Sequence, residues 1–268
     1  MMRALLLALV APLIGAAPAP GARPIAPATF VEWNGSDGTQ SFTQGGVTVT
    51  LDARPPEGSP VLTVSAAGKA PLRIVVTGDD AFTEFHEHIG IGPLVRGQSP
   101  SVLFQSWTGG AHCCERVIAV MPSGNRFVKV DLGKWDGDPI DWPTDLSGDG
   151  VVDFPLRDQR FLYAFDCYAC SWAPIKVMTI RNYRAVDVST LAAFRPLYAA
   201  DLPKAREACL DETKNPINEG YCAGYLATAA RLGRFDRAWA EMMKTSTAKT
   251  DDFPASVRDF LRKQGYIK

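Results

Sequence analysis

Histidine is scarce in this chain, with three in 268 residues: His86, His88 and His112. No GxSxG elbow, HExxH pair or P-loop occurs, so hydrolase, zincin and nucleotide chemistry lack a signature. Neither sign of charge prevails. Lys+Arg 28 against Asp+Glu 29 leave −1, too little to draw nucleic acid by bulk charge. Cysteine is missing before Cys113, so no thiol stands near the N-terminus to carry a lipid. No stretch reaches the roughly 20 apolar residues that a membrane span needs. With 46% apolar and 21% charged residues, the composition excludes disordered, collagen-like and coiled-coil chains and leaves ample material for a core.

What is present begins with a leader. Met1, Met2 and Arg3 form a short positive start, residues 4–17 an uncharged apolar run, and small residues follow. This is the layout of a secretory signal peptide over 1–22, cut within 17–22. It predicts a periplasmic or secreted protein with no membrane span after its removal.

Export changes the meaning of the six cysteines, Cys113, Cys114, Cys167, Cys170, Cys209 and Cys222. An even count in an oxidising compartment predicts disulfides. Neighbours on a strand point to opposite faces, and a ring closed across one peptide bond is strained. Cys113 and Cys114 are therefore expected to take distant partners, with Cys167 and Cys170 available. Cys209 and Cys222, in a helical region, are expected to pair.

Residues 23–45, rich in Pro, Gly, Ser and Thr, predict an extended lead-in segment. From 46 the hydrophobic period is two: Val47, Val49 and Leu51 alternate with Thr48, Thr50 and Asp52. Similar runs at 61–64, 72–76, 102–107, 116–121, 126–132, 160–165 and 175–181 predict strands, with hairpin turns at 121–125 and near Asn182. After about 190 the spacing becomes helical over 201–213, 216–232, 235–246 and 254–264. Pro203 and Pro254 suit first turns, and Gly233 and Gly265 suit helix ends. The fold class is α+β: a mainly antiparallel β domain over 46–190, as a sandwich or partial propeller-like sheets, and a small α-helical segment over 195–268. Residues 232–239 resemble the turn of a tetratricopeptide helix pair. Only one such unit occurs, so an ordinary helix hairpin is the plainer reading.

The clearest chemistry lies in Asp145-Leu146-Ser147-Gly148-Asp149-Gly150-Val151-Val152-Asp153. Oxygen side chains stand at relative positions 1, 3, 5 and 9, glycine at 6, and Val151 offers its carbonyl at 7. A hard cation such as Ca²⁺ wants six to eight such oxygens. The residues also suit an acidic turn without an ion. Leu156 stands where an EF-hand has its last glutamate. The loop, with strands on its C-terminal side, resembles the DxDxDGxxD loops of the FG-GAP/VCBS type, over about 102–190. That resemblance implies a β-rich architecture, bound calcium, and a role in adhesion or recognition. Ser147 in place of an acid removes one charge. The absence of a second copy favours a sandwich or half-open sheet over a closed propeller.

Other candidates have two readings each. On a strand, His86 and His88 share a face, and His112 could complete a zinc or copper site. Residues 77–90 also fit a short helix capped by Asp79 or Asp80, which would separate the two imidazoles. Cys167-Tyr168-Ala169-Cys170 is a CxxC, followed by Ser-Trp-Ala-Pro rather than a helix whose dipole would activate a thiol. Trp135 and Trp142 flank the acidic segment Asp136, Asp138 and Asp141 as a ligand-binding pair or as core. Together these features predict a disulfide-stabilised binding or structural protein with one calcium loop, facing a protein or glycan surface. The alternative is a periplasmic thiol-redox or metal-dependent enzyme.

Overall fold

The computed structural model describes residues 21–34, 38–52, 60–75, 86–108, 113–211, 218–245, 250 and 252–268. The leader falls almost wholly outside them, as do Asp79, Asp80, His112 and the His86 side chain.

Period-two alternation builds thirteen strands among these residues. In chain order they are β1 (Arg23–Pro24), β2 (Phe30–Asn34), β3 (Gln40–Gln44), β4 (Val47–Asp52), β5 (Val61–Ala66), β6 (Leu72–Val75) and β7 (His86–Gly92). There follow β8 (Ser101–Trp107), β9 (Glu115–Ser123), β10 (Arg126–Trp135), β11 (Asp153–Arg157), β12 (Ile175–Arg181) and β13 (Arg184–Asp187). The helices are α1 (Arg195–Leu210), α2 (Glu219–Arg231), α3 (Phe235–Thr245) and α4 (Phe253–Lys263). The chain is α+β, mostly antiparallel, with its α-helices at the C-terminal end.

Two five-stranded sheets, ordered β1-β3-β4-β5-β6 and β10-β9-β8-β7-β2, face each other. Only β1 runs parallel to its neighbour β3. Between them lies one core of Trp33, Phe42, Val49, Leu51, Leu62, Val64, Ile89, Val102, Phe104 and Ile118. The alternate residues of the second sheet, Leu103, Val117, Ala119 and Val130, pack outward against Phe154, Leu156 and Ile180 of a third sheet, β11-β12-β13. That sheet in turn places Ile175 and Val177 against Phe194 and Tyr198 at the start of the helical part. The antiparallel β7 settles residues 86–92 as strand.

Two turns follow the sequence closely. Asn182 and Tyr183 both take positive φ, 51° and 58°, between the paired Arg181 and Arg184. This is the twist that a two-residue hairpin needs. Gly233, at φ 70°, ends α2 in a conformation that a side chain would strain.

Two expectations are corrected. Residues 160–165 are not a strand but a 3-10 turn over Gln159–Phe161 followed by further turns. The Asp158 side chain accepts from the Arg160 N–H, and Phe161 turns into the helical core. Pro203 lies inside α1, while Pro196 takes the first turn. The helix begins earlier because Phe194 and Tyr198 anchor it on the third sheet.

Candidate functional site

The acidic loop joins β10 to β11 and is held at both ends. Val95 and Val151 form an antiparallel bridge, as do Thr144 and Asp153. Asp145 Oδ1 accepts from the Gly148 N–H at 2.7 Å, and its Oδ2 from the Gly150 N–H at 2.9 Å. Asp153 Oδ2 accepts from the Ser147 N–H at 2.8 Å, and Asp149 Oδ1 from the Val151 N–H at 3.0 Å. The loop is thus wound around its own carboxylates. Asp153 is 1% exposed. Burial raises its pKa, against the lowering effect of the Ser147 N–H.

Two arginines from outside the loop reach it. Arg96 Nη2 lies 2.8 Å from Asp145 Oδ2, and Arg181 Nη2 lies 2.9 Å from Asp149 Oδ2. Neither is legible in the sequence, because they stand 49 and 32 residues from their partners. They pair with two of the loop's acids, which also keep their bonds to the loop's own N–H groups. The donor set still fits a hard cation by type, since every side chain in it offers oxygen. The Ser147 Oγ is buried and faces the Asp153 carboxyl, whose pKa its hydroxyl lowers.

Beside the loop opens a cleft of about 450 Å³. Asp149 and Val151 form one side of it. Met121 and Ile180 give it apolar surface, and Arg181 and Tyr183 give it polar groups. Tyr183 is 41% exposed.

The cysteines pair locally, which corrects the expected cross-pairing. Cys209 is joined to Cys222, Cys167 to Cys170, and Cys113 to Cys114. Cys167 caps a 3-10 turn over Tyr168–Cys170. Residues i and i+3 eclipse in that geometry, so the two sulfurs meet on one side. Cys113 and Cys114 precede β9, so strand alternation does not separate them. Asp166, Cys167 and Cys170 bring their ligand atoms within 4.8 Å of one another, but bonded sulfurs supply no thiolate to a metal.

His88 lies on β7, paired with Gln105 and Glu32. The proposed partners of His88 in a metal site, His112 and the His86 side chain, lie outside the described residues. Trp135 and Trp142 are half-buried and pack against the core between the second and third sheets. The Trp135 Nε1–H donates to the Leu132 carbonyl at 2.8 Å. Trp142 packs 5.6 Å from the Phe30 ring and covers Gly90 and Gly92, where a Cβ would meet its ring at 2.7 and 2.8 Å. Of the acidic residues upstream, Asp136 accepts from the Tyr168 hydroxyl.

Among the described residues no helix is long and apolar enough to cross a membrane. Residues 198–265 match the family described as the sll0997 C-terminal domain. A Synechocystis sp. protein named as probable thylakoid lumen protein sll0997 is 32% identical over 200 residues, 63% of this chain and 57% of that protein. An uncharacterized protein, y4bJ, of Sinorhizobium fredii is 27% identical over 229 residues, 84% of this chain and 36% of that protein. The chain therefore spans less than two thirds of the length of both relatives. No solved structure matches.

Proposed function

We propose that the chain is an exported, disulfide-braced binding module in which Ca²⁺ in loop 145–153 shapes the adjoining cleft for a protein or glycan surface. The ion is held by the side chains of Asp145, Ser147, Asp149 and Asp153 and by the Val151 carbonyl. One observation carries this reading: the Asp153 carboxyl and the Ser147 Oγ lie buried together inside a loop whose remaining side-chain donors are carboxylates. A buried carboxylate is costly unless an opposite charge or hydrogen bonds compensate it, and a bound cation supplies that charge beside Asp153. The FG-GAP/VCBS-like spacing supports the same ion. The leader pattern and the lumenal name of the Synechocystis relative support export.

Calcium competes here with two guanidinium groups. As the ion draws Asp149 inward, Arg181 is released toward the cleft that it lines. Ion binding and the charge of the cleft are thereby linked.

A thermal melt in EDTA, then in millimolar Ca²⁺, then in Mg²⁺, tests the reading. Ligand at about 100 times Kd adds roughly 2.7 kcal/mol, which at this chain length raises Tm by about 5–10 °C. The rise should be selective for calcium and absent in Asp149→Ala. An unchanged Tm in all three conditions rejects the calcium site.

A further inference from the structure

A second cavity, of about 150 Å³, lies among α1, α2 and α3. It is remote in the chain from the calcium loop and independent of it. Leu202, Ala229 and Ala238 give it an apolar floor. Its charged wall holds three arginines, Arg206, Arg234 and Arg237, against the single carboxylate of Glu241.

That carboxylate is already committed. Arg206 Nε donates to Glu241 Oε1 at 2.9 Å, and the Tyr225 hydroxyl donates to Oε2 at 2.6 Å. Arg206, and then Tyr225, hold the Glu241 carboxyl below its usual range, so it is ionised at neutral pH. Arg234 and Arg237 make no side-chain hydrogen bond among the described residues, and Arg237 acts on Glu241 only through its charge. They also stand at the first turn of α3, an eleven-residue helix. Its first recorded main-chain bond runs from the Ala238 N–H to the Arg234 carbonyl, so the N–H groups before Ala238 sit at the positive end of the helix. Asp236 offsets part of that field but does not line the cavity.

We infer that this cavity binds a phosphate-type dianion, gripped by the Arg234 and Arg237 guanidiniums. The excess of guanidinium over carboxylate matches two negative charges. The planar forks match tetrahedral oxygens. A volume near 150 Å³ has room for about five waters, enough for a phosphate group and part of what carries it. The group is either free phosphate or a phosphate monoester.

Isothermal titration of the full chain at pH 7.5 and low ionic strength decides the matter. The probes are inorganic phosphate and O-phosphoserine, with acetate as the monoanion control at matched ionic strength. Saturable binding of either phosphate probe, and none of acetate, is expected. Arg234→Gln and Arg237→Gln should each weaken it about tenfold or more, the usual worth of a charge-assisted hydrogen bond. Both side chains are on exposed residues, and circular dichroism melts check that the variants stay folded. Tighter binding of O-phosphoserine assigns the cavity to monoesters, and tighter binding of inorganic phosphate assigns it to the free ion. Absence of saturable binding by both probes, or binding unchanged in both folded variants, overturns the inference.

Discussion

Gly224 of α2 lies so close to the Trp172 carbonyl that a Cβ on it would stand 2.2 Å from that oxygen. One turn earlier, a Cβ on Gly220 would stand 2.6 Å from the Cys170 carbonyl. The Trp172 N–H donates to the Gly220 carbonyl at 3.3 Å. Two glycines four residues apart thus make a seam into which the disulfide-closed turn at 167–172 fits.

Gly224→Ala should therefore destabilise the protein. At an unhindered helix position the same change would stabilise by up to about 1 kcal/mol. Overpacking costs about 1–3 kcal/mol, and here the obstacle is backbone. The expected result is a Tm several degrees lower in a thermal melt. A higher Tm would show that the seam is looser than described.

The disulfide pattern predicts a simple peptide map. Trypsin places Cys113 and Cys114 together in 97–116, and Cys167 and Cys170 together in 161–176. Cys209 lies in 207–214 and Cys222 in 215–231. Under non-reducing conditions a single inter-peptide link is expected, joining 207–214 to 215–231. A link between 97–116 and 161–176 in the mass spectrum would restore the cross-pairing. The Cys209–Cys222 bond closes a 13-residue span, worth about 3 kcal/mol in the chain-entropy model.

Glu87 gives a pH dependence. It is 0% exposed, and the Ser106 hydroxyl donates to its Oε1 at 3.1 Å. Burial raises its pKa well above the ordinary 4.5, the Ser106 bond opposes that, and Glu115 adds to it. The folded state therefore holds this proton more tightly than the unfolded state does. Its contribution is fully present below pH 4.5 and is lost as pH rises toward the raised folded value. Glu87→Gln should raise Tm at pH 8, give no gain at pH 4, and flatten the stability profile between. Equal Tm differences at both pH values would rule this out.

Arg181→Gln tests the competition at the loop. Removing the guanidinium frees Asp149, so calcium should bind more tightly, by up to about fivefold given the usual worth of an exposed ion pair. Calcium titration of the variant against the parent chain measures this. Weaker binding would mean that Arg181 supports the loop rather than competing with its ion.

Legibility in the sequence followed the range of each interaction. The alternation of Val47, Val49 and Leu51 depends on nearest neighbours, and those residues line the sandwich core. The helices after 190 were recognisable from their spacing, although Pro203 suggested a start several residues too late. Residues 160–165 alternate like a strand, but Phe161 is drawn into a core made by Ala205 to Tyr266, far along the chain. Local pattern carries no trace of that. The spacing of Asp145, Ser147, Asp149 and Asp153 was plain, whereas the arginines that hold Asp145 and Asp149 come from β12 and from the segment after β7. The cysteine pairing is local because Cys113 and Cys114 lie before β9 rather than on it, and Cys167 and Cys170 meet across one 3-10 turn.

Phe161 has a further consequence. Its ring meets Phe260 and Tyr266 edge-on, with centroids 5.0 and 5.3 Å away. The Tyr266 hydroxyl donates to Asp158 Oδ2 at 2.9 Å. The family match begins at residue 198, yet the hydrophobic plug of that helical unit is supplied from about forty residues upstream. A fragment cut at the family boundary would carry an open socket where Phe161 belongs and would leave the Tyr266 hydroxyl without Asp158. Transplanting this unit between proteins would require the donor's plug and socket to travel together.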